Sequence, residues 1–254
     1  MRKTYIFLQA RTSSTRLPQK VLKPLLNKEM ILHQLQRVSR SKMVDKVILL
    51  TSNLKEDDKL ANIVSQEGFD IYRGSHEDVL GRFYECAIDM NLDDDDTIVR
   101  VTGDCPVHDH RVIDELINAF YESNAEYISN CREPFVIYPD GLDAEVFSVA
   151  TLKKSALNAK KTSQREHVTP YMYNSGLFKA LHLKKEPLYS NWRLTVDEER
   201  DFKLIENIYN HFGNNSFSFE DIIEYLTNNP HLLSINQNII RNEGYLKSLK
   251  EDDE

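Results

Sequence analysis

Short apolar runs alternate with amphipathic segments through the first half of this 254-residue chain. Residues 5–8, 47–51 and 97–101 have the length and composition of buried strands. Residues 57–66 and 78–90 instead place apolar side chains at helical spacing. This alternation is typical of a parallel sheet packed between helices. The sequence therefore predicts an α/β fold with a mostly parallel sheet flanked by helices.

The second half of the chain is less regular. Residues 135–147 contain Pro139 and Gly141, so this segment is predicted to be rich in turns. No linker divides the chain, and 254 residues suit one α/β domain, although the length alone would also allow two. Further strands are predicted at 69–72, 127–129 and 177–183, and further helices at 112–121, 148–160, 165–173, 198–212 and 218–226.

Composition excludes several functional classes. With 41% hydrophobic and 28% charged residues the chain is typical of a globular protein, and its net charge of −8 argues against a general nucleic-acid-binding surface. The first apolar run is too short for a signal peptide or a membrane span, so we expect a cytoplasmic protein with no membrane partner. Cys86, Cys105 and Cys131 are too widely spaced for a zinc site, and three cysteines do not suit a disulfide framework.

The first apolar run leads into a loop rich in cations and hydroxyl groups. Residues 9–20 read Gln-Ala-Arg-Thr-Ser-Ser-Thr-Arg-Leu-Pro-Gln-Lys and contain Arg11, Arg16 and Lys20. Backbone N–H groups, hydroxyl groups and the planar guanidinium of arginine all suit phosphate oxygens. Ligands of open α/β sheets bind beyond the carboxyl ends of the strands, which favours a triphosphate site over a merely solvated loop. The loop has no glycine, so it is neither a P-loop nor a dinucleotide fingerprint.

Two aspartates follow apolar segments and are candidate metal ligands. Asp104 comes after the predicted strand 97–101, and Asp197 precedes the predicted helix that starts at residue 198. Magnesium is commonly held by one or two carboxylates together with substrate phosphates and water. The alternative is structural, because Asp104 could cap a turn and Asp197 a helix. No further ligand completes a set around His108 and His110, which are predicted to be polar loop residues.

A third polar group is a candidate acceptor site. Residues 165–167 read Arg-Glu-His, and acidic residues precede them at positions 143 and 145. Such a mixture could orient a hydroxylated acceptor, with arginine pairing to a carboxylate or phosphate. The alternative is an ordinary helix turn with a local ion pair. The candidate acceptor-binding residues are Asp143, Glu145, Arg165, Glu166, His167 and Arg193.

Six motifs occur in order between residues 5 and 210. They are Ala10-Arg11-x-x-Ser14-x-Arg16-Leu17-Pro18-x-Lys20-Val21-Leu22, Tyr72-Arg73-Gly74-Ser75 with Asp78-Val79-Leu80, Arg100-Val101-Thr102-Gly103-Asp104-Cys105-Pro106, Tyr138-Pro139-Asp140-Gly141-Leu142-Asp143, Arg165-Glu166-His167-Val168-Thr169-Pro170-Tyr171 and Trp192-Arg193-Leu194-Thr195-Val196-Asp197. This set resembles the cytidylyltransferases that activate sugar acids, the acylneuraminate and 3-deoxy-manno-octulosonate enzymes. The nearest branch is the family of the spore-coat polysaccharide biosynthesis protein SpsF. The chain departs from the family pattern at Gln19, where glycine is usual, and at Gln9, which replaces the proline of the sialic-acid enzymes.

The resemblance implies a nucleotide-diphospho-sugar transferase architecture, which is GT-A-like and Rossmann-like. It implies transfer of CMP from CTP to a sugar or sugar acid for surface or spore-coat polysaccharide, with release of pyrophosphate, Mg²⁺ as the cofactor and a possible homodimer. Arg11, Lys20 and Asp104 would be catalytic, and Asp104 and Asp197 would hold the metal. The nucleotide would be bound by Ala10, Arg11, Ser14, Arg16, Lys20, Arg73, Thr102 and Asp104.

Two other functional classes stay open at the level of sequence. A glycosyltransferase could use the same architecture to bind a ready-made nucleotide sugar, and a non-catalytic protein could bind a nucleotide without turnover. We predict a nucleotidyltransferase domain at residues 1–230 and a C-terminal extension at 231–254. The charged end of that extension, residues 247–254, is expected to fray.

Overall fold

A computed structural model describes residues 2–252, and the chain forms one large sheet with helices on both faces. The strands are β1 Thr4–Gln9, β2 Pro24–Leu25, β3 Lys28–Glu29, β4 Lys46–Ser52, β5 Asp70–Gly74, β6 Thr97–Thr102, β7 Tyr127–Ser129, β8 Glu145–Ser148 and β9 Ala180–His182. The α-helices are α1 Met30–Val38, α2 Asp58–Gln66, α3 Val79–Asp89, α4 His110–Glu122, α5 Val149–Asn158, α6 Thr162–His167, α7 Pro170–Asn174, α8 Glu199–Phe212, α9 Phe219–Asn228 and α10 Glu243–Glu251. Single turns of 3₁₀-helix lie at Lys20–Leu22 and Lys55–Asp57, and a longer one at Pro230–Ile235.

The large sheet has the strand order β5-β4-β1-β6-β8-β7-β9. Strand β1 lies at its centre and pairs in parallel with β4 and β6, so that Leu8 stands between Leu49 and Val101. Only β8 runs antiparallel to its neighbours in this sheet. The predicted α/β fold with a mostly parallel sheet is confirmed, and the antiparallel strand β8 begins within the segment 135–147 that the sequence marked as irregular.

Both faces of the central strands are buried, which explains their continuous apolar runs. Alternate side chains of a strand point to opposite faces, so Ile6 and Leu8 pack on one side and Tyr5 and Phe7 on the other. The first face is covered by α1, α2, α4, α8 and α9, and the second by α3, α5 and α7. No helix among residues 2–252 combines the length and the apolar character that crossing a bilayer requires.

Most predicted elements occur within a few residues of their expected bounds, but the single helix predicted at 165–173 is wrong. Two short helices, α6 and α7, stand there instead. Val168 has a φ of +70°, which no α-helix continues through, and Pro170 begins the second helix. The break brings Thr169 to the sheet, where its hydroxyl donates a 2.7 Å hydrogen bond to Glu145.

The C-terminal segment includes a helix. Residues 247–251, which were expected to fray, belong to helix α10, whereas residues 253 and 254 lie outside the described part of the chain. Asn236 is buried and its amide donates to the carbonyl oxygen of Arg193 (3.0 Å) and to the Asp201 carboxylate (2.8 Å). The chain beyond residue 230 is therefore packed against the main body.

His108 is in a loop, as predicted, but its ring is fully buried. Its Nε2 lies 3.1 Å from the carbonyl oxygen of Asp143, which suits the neutral tautomer with the proton on Nε2. Burial lowers the pKa of His108 to about 4, even though hydrogen bonds to backbone oppose the shift. His110, the second histidine of the pair, is instead the first residue of α4.

This burial predicts a pH-dependent stability. In the unfolded chain a histidine has a pKa of roughly 6.5, so below that pH the unfolded state takes up a proton that folded His108 does not. The free energy of unfolding should therefore fall as the pH drops from 6.5 towards 4, by about 2 kcal/mol at pH 5. Urea denaturation at pH 7.5 and pH 5 should show this loss reduced in His108→Gln. The exposed His231→Gln is the control and should keep the full loss; an equal loss in all three proteins would contradict the assignment.

Candidate active site

A cavity of about 920 Å³ lies beyond the carboxyl ends of β1 and β6. The two strands end level, because Gln9 pairs with Thr102, and the Gly103 N–H donates to the Gln9 carbonyl at 2.8 Å. A side chain at Gly103 would come within 2.6 Å of the Ala10 methyl group, so only glycine permits this approach. The sequence-predicted site residues that line the cavity are Ala10, Arg11, Ser14, Arg16, Lys20, Thr102, Asp104, Glu166, His167 and Asp197.

The loop after β1 is held by a buried carboxylate from the neighbouring connection. Asp57 is fully buried and accepts hydrogen bonds at 2.7 Å from both the backbone N–H and the hydroxyl of Thr12. It also accepts one from the hydroxyl of Ser52 at the end of β4. Burial raises the pKa of Asp57, but these hydrogen bonds outweigh it and keep the pKa below the ordinary value. The sequence analysis missed Asp57, which looked only like a helix start.

The same loop shows why glycine is usual at the position of Gln19 in the resembling family. The carbonyl oxygen of Thr12 accepts N–H groups from Ser14 at 2.9 Å and from Gln19 at 3.0 Å, which folds the loop back on itself. At this return Gln19 has a φ of +56°, in the left-handed region that glycine adopts without a steric penalty. The position where glycine is usual in the resembling family is thus one with a backbone reason for glycine.

Lys20 lies between the two aspartates of the predicted metal pair. Its Nζ donates to Asp104 Oδ2 at 3.1 Å, to Asp197 Oδ1 at 2.8 Å and to the carbonyl oxygen of Val196 at 2.8 Å. Burial lowers the pKa of Lys20, but the two carboxylates outweigh burial and the net shift is upward, so the ammonium stays charged. Burial likewise opposes ionisation of Asp104, yet the charge of Lys20 brings its pKa down to about 2.

Arg193 supports this arrangement from below. It is 7% exposed, and its guanidinium donates to Asp140 at 2.6 Å, to Asp197 at 2.8 Å and to Asp201 at 2.9 Å. Asp201 also accepts the backbone N–H groups of Asp197 and Glu198, in a capping box whose N-cap residue is Glu198. The alternative interpretation of Asp197 as the helix cap is therefore not what the structure shows. Arg193, a predicted acceptor residue, is occupied in holding the carboxylate of Asp197.

Glu166 and His167 line the cavity from helix α6. Glu166 Oε1 lies 3.7 Å from Nη2 of Arg11, and His167 Nε2 lies 3.0 Å from the hydroxyl of Ser248. Burial lowers the pKa of His167 to about 4, so the ring is neutral near pH 7. Glu145, another predicted acceptor residue, is buried beneath the cavity and pairs across the sheet with Arg100, which does line the cavity.

Besides Glu145 and Arg193, three more predicted binding residues do not line the cavity. Arg73 donates to the carbonyl oxygens of Ser52 and Leu54 and pairs with Asp58. Arg165 ties α6 to the N-cap of α3 through Asp78. Asp143 accepts a 2.6 Å hydrogen bond from Arg241.

Among the described residues, the cavity also gathers side chains that sequence reasoning did not select. Arg82 and Arg100 line it from α3 and β6, and helix α10 contributes Glu243, Lys247, Lys250 and Glu251. In total, seven lysine and arginine side chains and five carboxylates line it, so the cavity is net positive within an acidic protein. Arg100 stands in one of the six motifs, but no local sequence signal points to Arg82 or to the residues of α10, because they lie far from the loop along the chain. Residues 2–252 contain no group of three or more His, Cys, Asp or Glu side chains placed to hold a metal ion by themselves.

Comparison with known proteins identifies the family. Residues 5–239 match the family model described as cytidylyltransferase. The chain belongs to the cytidylyltransferase family. It is 38% identical to an uncharacterised protein of Methanocaldococcus jannaschii over 94% of this chain and 96% of that protein. It is 30% identical to the spore coat polysaccharide biosynthesis protein SpsF of Bacillus subtilis over 88% of this chain and 93% of SpsF.

A solved structure agrees with this assignment. The structure of a cytidylyltransferase from Leptospira borgpetersenii serovar Hardjo-bovis superposes with a TM-score of 0.85 and 32% sequence identity. The match covers 94% of this chain and 99% of the Leptospira chain. The resemblance inferred from the six motifs is confirmed, and this cytidylyltransferase has the nucleotidyltransferase architecture that the resemblance implied.

The role of Asp57 can be tested by substitution. Asp57→Ala should lower the free energy of unfolding by about 2–4 kcal/mol, because three buried donors lose a charged acceptor. It should also accelerate amide hydrogen exchange in loop residues 12–20. The neighbouring Asp58→Ala removes an exposed ion pair with Arg73 and should cost less than about 1 kcal/mol. Urea denaturation and exchange measurements decide the matter, and similar effects of the two substitutions would contradict the anchoring role.

Proposed function

We propose that this cytidylyltransferase transfers CMP from CTP to a sugar or sugar-acid acceptor and releases pyrophosphate, with Mg²⁺ as its cofactor. The observation that carries the proposal is the placement of Lys20 between Asp104 and Asp197, directly beside the cationic loop. Carboxylates for a divalent ion and cations for phosphates are thus within one cavity. The name of the SpsF relative supports a place in polysaccharide biosynthesis.

The loop residues are suited to bind the triphosphate. Arg11 and Arg16 line the cavity with partly exposed guanidinium groups, and Ser14 adds a hydroxyl beside them. The buried ammonium of Lys20 is the third cation. Charge-assisted hydrogen bonds of this kind are the strongest available to phosphate oxygens.

The residues present fit a magnesium ion. Asp104 and Asp197 are two oxygen donors on one cavity wall, and Mg²⁺ takes one or two protein carboxylates and completes its coordination with phosphate and water. Asp104 and Asp197 would therefore hold it together with CTP. When bound, the ion would neutralise charge on the reacting phosphates.

The chain's own residues would act by positioning and by charge. The acceptor hydroxyl oxygen forms a bond to the α-phosphorus and releases its proton to water, the bond from that phosphorus to the bridging oxygen breaks, and pyrophosphate leaves with the electron pair. No covalent protein intermediate is needed, because phosphoryl transfer depends mainly on alignment and electrostatic stabilisation. Arg11, Arg16 and Lys20 would stabilise the charge that develops on the phosphates.

The acceptor would lie toward Glu166 and His167. Glu166 can accept hydrogen bonds from sugar hydroxyl groups, and Arg11, which lies close to it, can pair with an acceptor carboxylate. The cytoplasmic location and the possible homodimer that the sequence suggested belong to this proposal. Membership of the cytidylyltransferase family favours it over a glycosyltransferase that consumes a nucleotide sugar.

The metal assignment predicts a separation of rate from stability. Asp104→Asn and Asp197→Asn should each lower Mg²⁺-dependent pyrophosphate release by at least about a hundredfold, because a metal ion supplies several kcal/mol of charge stabilisation. Asp221→Asn is the control, since Asp221 accepts the backbone N–H of Ser218 in the capping box of α9 and does not line the cavity. It should lower the melting temperature more than the rate. If Asp197→Asn melts early and keeps its rate, Asp197 is a structural residue.

The phosphate assignment predicts a loss of CTP affinity. Arg16→Ala and Lys20→Ala should each weaken CTP binding by roughly 1.5–3 kcal/mol, the value of a hydrogen bond to a charged group. Arg73→Ala should leave the affinity unchanged, because Arg73 does not line the cavity. Isothermal titration calorimetry with CTP and Mg²⁺ measures all three. Unchanged affinity in both Arg16→Ala and Lys20→Ala would place the triphosphate elsewhere.

A further inference from the structure

Helix α10 lines the cavity. In the sequence it follows residues 5–239, the part of the chain that the family model matches. Its residues Glu243, Gly244 and Ser248 line the cavity. The helix therefore adds to the site a wall from outside the residues that the family model matches.

The first contact between this wall and the site is an ion pair. Glu243 Oε2 lies 2.8 Å from Nη1 of Arg16, while Nη2 of the same guanidinium lies 3.0 Å from Asp197 Oδ1. Both terminal nitrogens of Arg16 are thus engaged by carboxylates. A phosphate needs the same fork of donors, so a phosphate and the Glu243 carboxylate compete for it.

The second contact holds the helix to α6. Ser248 is the buried residue of α10, and its hydroxyl donates to Glu166 Oε2 at 2.7 Å. Its oxygen is also within 3.0 Å of His167 Nε2, and the Tyr245 ring meets the His167 ring edge-on with centroids 5.1 Å apart. Asp252, at the end of the helix, accepts hydrogen bonds from the N–H and the hydroxyl of Ser163 in α6. The contacts of α10 are thus mostly polar, while Leu246 and Leu249 of the same helix stay exposed.

The chain just before α10 is anchored to the main body. Asn236 is buried beneath Arg193, and Arg241 pairs with Asp143. Asn242 then has a φ of +59° and directly precedes the helix. Asparagine tolerates this left-handed conformation, which sets the direction in which α10 leaves the anchored segment. The buried residue of α10 is a serine, and elements that move on ligand binding are drawn from parts of a fold with few buried apolar contacts.

We propose that α10 is a cap on the nucleotide site within the same chain, and that Glu243 occupies Arg16 in place of a nucleotide phosphate. This inference rests on the proposed function, because it takes Arg16 as a phosphate ligand. Since Glu243 and the phosphate exclude one another at Arg16, closing the cap weakens nucleotide binding and nucleotide binding opens the cap. The two effects are equal in free energy, as linkage requires.

The test compares Glu243→Gln with wild type and with a matched control. Glu199→Gln is that control. Glu199 is exposed, forms an ion pair with Lys23, which follows the same loop, and does not line the cavity. Calorimetry with CTP and Mg²⁺ should show tighter binding by Glu243→Gln, by roughly twofold to fivefold, the range that an exposed ion pair provides. In an Arg16→Ala background the same substitution should have no effect on CTP affinity.

Amide hydrogen exchange tests, without any nucleotide, whether Glu243 holds helix α10 in place. Without nucleotide, Glu243→Gln should exchange faster than wild type across residues 243–251, and Glu199→Gln should not. Adding CTP and Mg²⁺ to the wild-type protein should also accelerate exchange there. Unchanged exchange in Glu243→Gln, or equal CTP affinities in Glu243→Gln and wild type, would overturn the cap. If no variant binds CTP, the proposed function fails, while the exchange of α10 still decides whether Glu243 holds the helix.

Discussion

The rest of the site depends on the ion pairs that the ammonium group of Lys20 forms with Asp104 and Asp197. The ammonium group connects the 3₁₀ turn after the loop to Asp104 beyond β6 and to Asp197 before α8, three segments that are far apart in sequence. Burying any one of these charges alone would be costly. Together they satisfy each other, which explains why the pKa of Lys20 is raised and that of Asp104 is lowered despite burial. Removing one partner would leave an uncompensated charge at the sheet edge.

A second layer of charge keeps this triad in place. Arg193 contacts Asp140, Asp197 and Asp201, and the amide of Asn236 closes the network from the C-terminal segment. The orientation of Asp197 is therefore set by residues that do not line the cavity themselves. Such support gives a binding site its accuracy, since a carboxylate fixed in advance need not be ordered when the ligand arrives.

The proposed triphosphate site combines both signs of charge. The cations of the cavity are paired with its own carboxylates, as Lys20 and Arg16 are with Asp197. A ligand that brings both a divalent cation and phosphates would offer a new partner to each set. Glu243 extends the same principle to the C-terminal helix, because it neutralises the nitrogen of Arg16 that Asp197 does not reach.

The sequence by itself determined the strand and helix alternation, the position of the cationic loop and the two aspartates, because each depends on a local pattern or a short motif. Residues such as Arg73 and Arg193 stand in the resembling motifs too, yet the first pairs with Asp58 away from the cavity and the second with Asp201 beneath it. In the structure, two short helices replace the one predicted at 165–173, and α10 contacts a loop that lies more than two hundred residues earlier in the sequence. Only the tertiary structure decided these points, because the partner that engages a charged side chain is chosen by distance in space, which local spacing along the chain does not encode.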